Sequence, residues 1–313
     1  MTGTASESQL VGMEGLITVL IRNSTLSSSQ TGKTASDPVA DGVIIYQSAS
    51  GDAESTTGEA ATFQAVDSKL SSAIQSGSMF YLTNISADVV LKNTELDIAS
   101  SAARLLYAAG NDANNWGQAG SNGATVKFTG IGQQLAGDVV ADTISSVDLH
   151  LTEGTTWAGA ASIEQNAAGS TSDAPMTVNI DGSSQWTVTA DSTVSSLNVA
   201  EGAKVVDADG KTVTIVAGGQ TVVQGDSGLT VTVTGSYSTD YDASEAGSLT
   251  SEAIDRTAYD DAFGTDVDDA SSDEKDAVSQ ASTASDTDSG SSSDAEKGFF
   301  AQVVDWLKSL FGM

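Results

Sequence analysis

Cysteine is absent from this chain of 313 residues, and histidine occurs once, as His150. The missing cysteines exclude disulfide bridges, thiol nucleophiles and cysteine-ligated metal sites. With a single histidine, the composition also argues against a Ser-His-Asp or Cys-His nucleophilic site. Hydrolysis by paired carboxylates stays open because acidic residues abound, but no pair stands out in the sequence. We therefore expect no enzymatic activity.

Basic side chains are also scarce. The 12 lysines and arginines face 42 aspartates and glutamates, which gives a formal net charge of −30. A polyanion repels nucleic acid and anionic lipid, so no nucleic-acid partner is expected. Aromatic residues make up only 5% of the chain. Stacked Val, Ile, Leu and Ala fill a narrow interior without large rings, so this composition favours a solenoid over a compact globule.

Long apolar runs are missing as well. No stretch of 18 or more apolar residues occurs, so no segment is predicted to span a membrane as a helix. Residues 1–10 are rich in polar side chains and contain neither a basic patch nor an apolar run, which predicts a disordered N-terminus without a signal peptide. We expect a cell-surface or secreted protein, with this chain as a fragment whose export signal is missing.

The sequence does contain a series of short strand-like runs. Residues 183–199 alternate apolar and hydroxylated side chains, which places Trp186 and Val188 on one face of a strand and Thr187 and Thr189 on the other. Similar runs, separated by Gly, Asn, Asp and Ser, recur as far as residue 237. Short strands leave backbone groups unpaired unless successive turns of the chain stack. The pattern therefore predicts a parallel β-solenoid over residues 11–239.

A weak internal repeat supports this prediction. A polar triplet followed by leucine recurs after the runs, and the leucines are separated by 44, 26 and 39 residues. With roughly 20–25 residues in each turn, these spacings correspond to two, one and two turns. The four copies are Asn23-Ser24-Thr25-Leu26, Asp67-Ser68-Lys69-Leu70, Asn93-Thr94-Glu95-Leu96 and the looser Gly132-Gln133-Gln134-Leu135.

The composition changes near residue 240. Residues 241–296 contain 16 acidic and 2 basic side chains in a background of Ser, Ala, Thr and Gly, so residues 240–296 are predicted to be a disordered acidic linker. Residues 297–313 instead predict a short amphipathic helix that could lie in a membrane interface, dock on a partner or cap the solenoid. The residues predicted to make that contact are Phe299, Phe300, Val303, Trp306, Leu307, Leu310 and Phe311.

Few residues of the predicted solenoid stand out as binding candidates. Trp116 lies in a polar loop and is expected to be exposed, whereas Trp186 is expected to pack in the core. His150 and Asp148 point outward together in the predicted strand register, so His150 is expected to be an ordinary surface histidine. The candidate binding residues are Asn114, Asn115, Trp116 and Gln118.

Residues 183–199 (Ser-Ser-Gln-Trp-Thr-Val-Thr-Ala-Asp-Ser-Thr-Val-Ser-Ser-Leu-Asn-Val) resemble the late passenger region of pertactin-like autotransporter adhesins, with Ala190 where that family commonly has glycine. Earlier parts of the chain more loosely resemble adhesin-like and pectate-lyase-like β-helices of surface proteins. The resemblance implies a right-handed parallel β-helix with a surface role. It implies no activity, because the catalytic clusters of the pectin-cleaving relatives have no counterpart in this sequence.

These observations predict an all-β protein, a right-handed parallel β-helix followed by the linker and the helix. The expected function is that of a non-enzymatic, adhesin-like or stalk protein that binds an extracellular glycan or protein surface. Two alternatives stay open: a polysaccharide lyase or hydrolase on the same scaffold, and an ice-binding protein with a flat threonine face. An Asp-Gly corner at residues 207–211 lacks the further ligands of a calcium loop, so no metal or cofactor is expected.

Overall fold

The computed structural model describes residues 1–34, 37–48, 59–112 and 116–250. Within these residues the protein is all-β: 24 strands form four sheets, and all but one of the strand pairings are parallel. The helical content of the described residues is a single 3-10 turn at Ala243–Glu245. None of their helices has the length and apolar character needed to cross a bilayer.

Most neighbouring strands in the four sheets are distant in sequence, and the strands are named below in spatial order. Sheet I contains β1 (Thr2–Ala5), β4 (Thr25–Ser28), β7 (Lys69–Ser72) and β10 (Glu95–Ile98). Sheet II contains β17 (Ala161–Glu164), β14 (Val139–Asp142), β11 (Arg104–Ala108), β8 (Ser78–Thr83), β5 (Asp41–Tyr46) and β2 (Val11–Glu14). Sheet III contains β23 (Gln220–Val223), β22 (Thr214–Ala217), β24 (Thr230–Ser238), β20 (Ser192–Val199), β18 (Met176–Ile180), β15 (Ser146–Thr152), β12 (Thr125–Ile131), β9 (Ser86–Lys92), β6 (Ala61–Val66) and β3 (Thr18–Arg22). Sheet IV contains β13 (Gln134–Ala136), β16 (Thr156–Gly159), β19 (Gln185–Val188) and β21 (Lys204–Val206).

Successive strands visit these sheets in a fixed order. From β3 to β11 the chain passes repeatedly from sheet III to sheet I and then to sheet II, and from β12 to β17 it passes from III to IV to II. Strands of neighbouring repeats pair in register: β12 aligns with β9 and with β15 over seven residues each. Most strands inside the stack thus satisfy their backbone groups on the repeats before and after them. This stacking is compatible with the predicted β-solenoid.

The core consists of columns of side chains that occupy the same register in successive strands. Trp157 and Trp186 are fully buried and stacked, with ring centroids 4.7 Å apart and planes 11° apart. Each indole N–H donates to a glycine carbonyl at 2.9 Å. The inward orientation predicted for Trp186 is confirmed, and the leucines of the repeat do lie in the columns. The predicted two turns for the 44- and 39-residue spacings are wrong, because β3, β6, β9 and β12 are neighbours in sheet III and each spacing is therefore one turn. In order, the columns are Leu26, Leu70 and Leu96 in sheet I, and Leu135, Trp157, Trp186 and Val205 in sheet IV.

The first residue of each polar triplet forms a sharp corner between sheet III and the next sheet. Asn23, Asp67 and Asn93 have φ values of 48°, 48° and 45°, and Gly132 has φ 55°. Among residues with a side chain, Asn and Asp tolerate this left-handed region best. The corners also bond to one another, since Asn93 Nδ2 donates to Asp67 Oδ1 at 2.7 Å. The repeat therefore encodes the corner as well as the core.

The beginning of the chain differs from the prediction. Residues 1–10 were expected to be disordered, but β1 pairs in parallel with β4 over four residues and extends sheet I. The Thr25 N–H donates to the Met1 carbonyl at 2.9 Å, which fixes the start of this pairing. Backbone pairing along a sheet edge orders a polar segment that has no apolar alternation of its own.

Residues 240–250 also differ from the prediction, which placed them in the disordered linker. This segment, which we call the strap, crosses the outer face of sheet III. Gly247 N–H donates to Thr129 Oγ1 at 2.9 Å, Gln64 bonds to the backbone of Ser248 and Thr250 at 3.1 Å each, and Arg22 donates to the Thr250 carbonyl at 2.7 Å. The rest of the predicted linker and the predicted C-terminal helix, residues 251–313, lie outside the described residues.

Candidate functional site

The predicted binding loop around Trp116 is only partly described. Asn114 and Asn115 lie outside the described residues, and Gln118 is exposed. The expectation that Trp116 is exposed is wrong, because its side chain is 8% accessible and stacks on Tyr46 with ring centroids 4.3 Å apart. The ring covers the outer face of sheet II instead of facing solvent. Of the predicted loop contacts, Gln118 keeps the accessibility that a binding role requires.

His150 is also not the surface residue that was predicted. It does point outward from sheet III beside Asp148, with Nε2 3.0 Å from Asp148 Oδ2, but the strap leaves it only 1% exposed. The Tyr241 hydroxyl of the strap lies 3.2 Å from His150 Nδ1. Burial opposes ionisation of Asp148, yet its contacts with His150 and Asn179 prevail and lower the pKa of this carboxyl. The group joins the strap to sheet III and is closed to a substrate.

A pair of carboxylates is buried at the start of β5. Asp37 and Asp41 are 7% and 2% exposed, and apart from the contact between the two acids no described residue donates a hydrogen bond to either oxygen of Asp41. Burial raises the pKa of Asp41 to about 8, and the neighbouring Asp37 charge adds to this effect. Burial likewise raises the pKa of Asp37 to about 6, against the opposing influence of Asp41 and Lys33. The two acids can share a proton, but their burial keeps a polysaccharide away from them.

A cleft opens the surface of the described residues between sheets I and IV. In the two repeats on either side of the cleft, the strands of the other sheets do pair: β9 pairs with β12 in sheet III, and β11 pairs with β14 in sheet II. Between them, β10 ends sheet I and β13 begins sheet IV, with no pairing between the two. A cleft of about 780 Å³ lies along this interruption. We call it the β10–β13 cleft.

The walls of the β10–β13 cleft are two open strand edges. In β10, Glu95 N–H donates to Ser68 in the neighbouring repeat, so by alternation the backbone groups of Leu96 and Ile98 face the cleft. In β13, the Gln133 carbonyl accepts from Thr156 N–H, so the backbone groups of Gln134 and Ala136 face it from the other side. No strand of the described residues pairs with these edges.

The side chain of Gln133 closes one end of the cleft. Its Oε1 accepts the Thr94 N–H at 2.9 Å, and its Nε2 donates to the Thr94 carbonyl. The same Nε2 lies 3.4 Å from the Gln134 carbonyl on the opposite wall. A primary amide therefore occupies the position where the first peptide group of an inserted strand would pair with both walls.

The corner repeat explains why the sheet splits at this point. At the Asn23 and Asp67 corners, the Ser24 N–H is bonded by the hydroxyl of Ser68, one repeat further along. The Thr94 N–H instead needs the carboxamide of Gln133, whose side chain is two bonds longer than that of serine. The longer side chain spans a wider separation between repeats. Gln133 in the second position of the looser fourth repeat is the sequence signal that identifies the cleft.

The floor and the rim of the cleft differ in character. Leu96 is partly exposed and Leu135 is buried, and these two side chains end the columns of sheets I and IV on either side of the gap. On the rim, Glu95 and Asp97 are 63% and 54% exposed, with Lys69 Nζ 2.6 Å and 3.4 Å from their carboxylates. The floor is apolar, and the rim is acidic despite the one lysine.

The described part of the chain contains no candidate metal site. No group of three or more His, Asp or Glu side chains there is arranged to hold an ion. No protein-family model, curated protein or solved structure matches this chain.

Proposed function

We propose that the four sheets wind as a right-handed parallel β-helix, and that the protein is a non-enzymatic, adhesin-like or stalk protein of the cell surface or the secreted fraction. The fixed order in which strands visit the sheets supports the winding. The resemblance of residues 183–199 to pertactin-like passengers supports the surface role. The interior is filled by the columns of the chain's own side chains, so a ligand has to bind at the outer surface.

The β10–β13 cleft is the observation that carries the binding role. Within the stack, β17 also pairs on one side only, but its Ala161 N–H donates to the Ser192 hydroxyl of β20. At the cleft, two strand edges face each other unpaired, and a partly exposed Leu96 remains open to another molecule. Such an opening is costly to maintain in a passive rod, because unpaired edges promote unwanted association. We take it as the contact surface for an extracellular partner.

A binding screen combined with an activity assay tests this proposal. The full chain is immobilised and exposed to an array of glycans and to a panel of extracellular matrix proteins, and it is incubated separately with polyuronides. We expect saturable capture of a protein or glycan and no new reducing ends or unsaturated products. Catalytic turnover of a polyuronide would instead establish the lyase or hydrolase alternative. Antibody labelling of intact source cells tests the location: labelling is expected without permeabilisation.

A further inference from the structure

We propose that the β10–β13 cleft binds an extended, cationic peptide segment of a partner protein, which inserts as a strand between β10 and β13. This inference rests on the proposed binding role and deepens it by naming the chemical class of ligand. The inserted segment joins sheets I and IV into one continuous sheet. The binding mode is strand addition, in which main-chain hydrogen bonds supply affinity and alternate side chains supply specificity.

The backbone of the cleft supplies partners for both sides of such a strand. Leu96 and Ile98 offer N–H and C=O groups from β10, and Gln134 and Ala136 offer them from β13. An extended peptide presents its own groups alternately to its two sides, so one segment pairs with both walls. About four or five residues span this length, at roughly 3.3 Å per residue.

Gln133 shows that an amide fits between the walls. Its carboxamide bonds to both backbone groups of Thr94 and lies 3.4 Å from the Gln134 carbonyl. The first peptide group of the inserted strand is expected to lie next to this carboxamide and to bond to both walls in the same way. The amide thus sets the register at which the peptide begins.

The inward side chains of the peptide are expected to be aliphatic. They enter between Leu96 and Leu135 and continue the columns of sheets I and IV across the gap. Polar groups at these positions lose hydration against an apolar floor without gaining a partner. Leu, Ile or Val completes the core.

The outward side chains are expected to be basic. They lie beside Glu95 and Asp97, whose carboxylates are more than half exposed and share the single Lys69. The whole chain carries a net charge of −30, so a cationic segment is also attracted at long range. An acidic strand from a second copy of this chain is repelled by the same negative charge, so a second copy is not the expected ligand. The preferred pattern alternates basic and aliphatic residues.

The test uses a fluorescently labelled peptide with the sequence Thr-Lys-Val-Lys-Leu-Lys-Thr and the full chain. Its control is Thr-Val-Leu-Lys-Lys-Lys-Thr, which has the same composition and charge without the alternation. We expect saturable binding of the first peptide by fluorescence anisotropy and at least about tenfold weaker binding of the second. Equal binding of the two peptides, or no saturable binding of either, overturns the proposal.

Protein variants and hydrogen exchange locate the bound peptide. Leu96→Ala is expected to weaken peptide binding by about fivefold or more, whereas Leu26→Ala, a partly exposed leucine of the same column away from the cleft, leaves it unchanged. The bound peptide is also expected to slow exchange at the amides of Leu96, Ile98, Gln134 and Ala136. Protection of other amides alone would contradict strand insertion. Protection of these four amides without peptide, caused by association of two copies, would also contradict it.

The outcome separates this inference from the broader function. If the alternating peptide fails while the immobilised chain still captures a matrix protein or a glycan, the strand-insertion inference fails and the binding role stands. If polyuronide turnover is found while the peptide binds in the cleft, the non-enzymatic function fails and the cleft assignment stands.

Discussion

Gln133 binds both backbone groups of Thr94: Oε1 accepts the N–H at 2.9 Å and Nε2 donates to the carbonyl. Both residues are buried, at 3% and 2% exposure. The contact joins two repeats whose strands β10 and β13 do not pair. A single side chain therefore replaces a β-ladder at the end of the β10–β13 cleft.

Replacing this side chain is expected to destabilise the protein. Gln133→Ala leaves the buried N–H and carbonyl of Thr94 without partners, which costs about 1–3 kcal/mol of unfolding free energy. Gln134→Ala, at the exposed neighbouring position, should change that free energy by less than about 0.5 kcal/mol. Denaturant titration of both variants measures the difference, and equal stability of the two would show that the Gln133 contact contributes nothing.

The tryptophan column is expected to be a major source of stability. Trp186→Ala removes a fully buried ring that stacks on Trp157 and donates to the Gly159 carbonyl, at a cost of about 3–5 kcal/mol. The control is Thr189→Ala, an exposed position just beyond the same strand, with an expected change below about 0.5 kcal/mol. Thermal and denaturant unfolding give both values. A small effect of Trp186→Ala would contradict its place in the core.

The Asp37–Asp41 pair is expected to make stability fall as the pH rises. The folded-state pKa of Asp41, about 8, and that of Asp37, about 6, both exceed the ordinary value of 3.8. The folded protein therefore holds more protons than the unfolded chain between these values, so this contribution is complete below pH 3.8 and is lost as the pH passes about 6 and then about 8.

Asp41→Asn tests this dependence, because the amide keeps the shape of the acid without a titrating proton. The variant's stability relative to the unmodified protein should increase between about pH 5 and about pH 9. Asp112→Asn, at an exposed position, should show no such trend. Subtracting the curves removes the opposing contribution of carboxyls such as Asp148, whose pKa is lowered. A difference that is flat with pH would show that the pair is not held protonated.

The strap is expected to protect the single histidine from chemical modification. His150 is 1% exposed and lies against the Tyr241 ring, with centroids 5.9 Å apart. Carbethoxylation of His150, measured by peptide mass spectrometry, should be slow in the unmodified protein and several-fold faster in Tyr241→Ala. Tyr241→Phe keeps the covering ring and should stay slow. Equal rates in all three proteins would mean that residues 240–250 do not cover sheet III.

Local sequence patterns were sufficient to predict the parallel stacking. Alternation placed Trp186 and Val188 inward, and the polar triplets followed by leucine indicated the repeat. The left-handed corners that Asn23, Asp67 and Asn93 form were not predicted from these triplets. The pattern failed for β1, where the polar sequence of residues 2–5 is ordered by pairing with β4. A strand ordered mainly by its neighbour's edge has no signature of its own.

Burial by distant segments could not be predicted. His150 is covered by Tyr241, 91 residues further along the chain, and Trp116 stacks on Tyr46. His150 lies on the outward face of a strand and Trp116 lies in a polar loop, and both positions predict exposure unless another segment covers them. The only sequence signal of the cleft is Gln133, which stands where the other corners have a short hydroxyl side chain. That signal cannot be interpreted without knowing the distance between the repeats.

Amide hydrogen exchange of the ligand-free protein tests the open sheet most directly. Along β10 and β13 the pairing predicts a two-residue alternation, with Leu96, Ile98, Gln134 and Ala136 exchanging rapidly. Asp97 and Leu135, whose amides face the paired neighbours, should exchange slowly. Uniform protection along both strands would contradict the account, because it requires a ladder between sheets I and IV where we place a cleft.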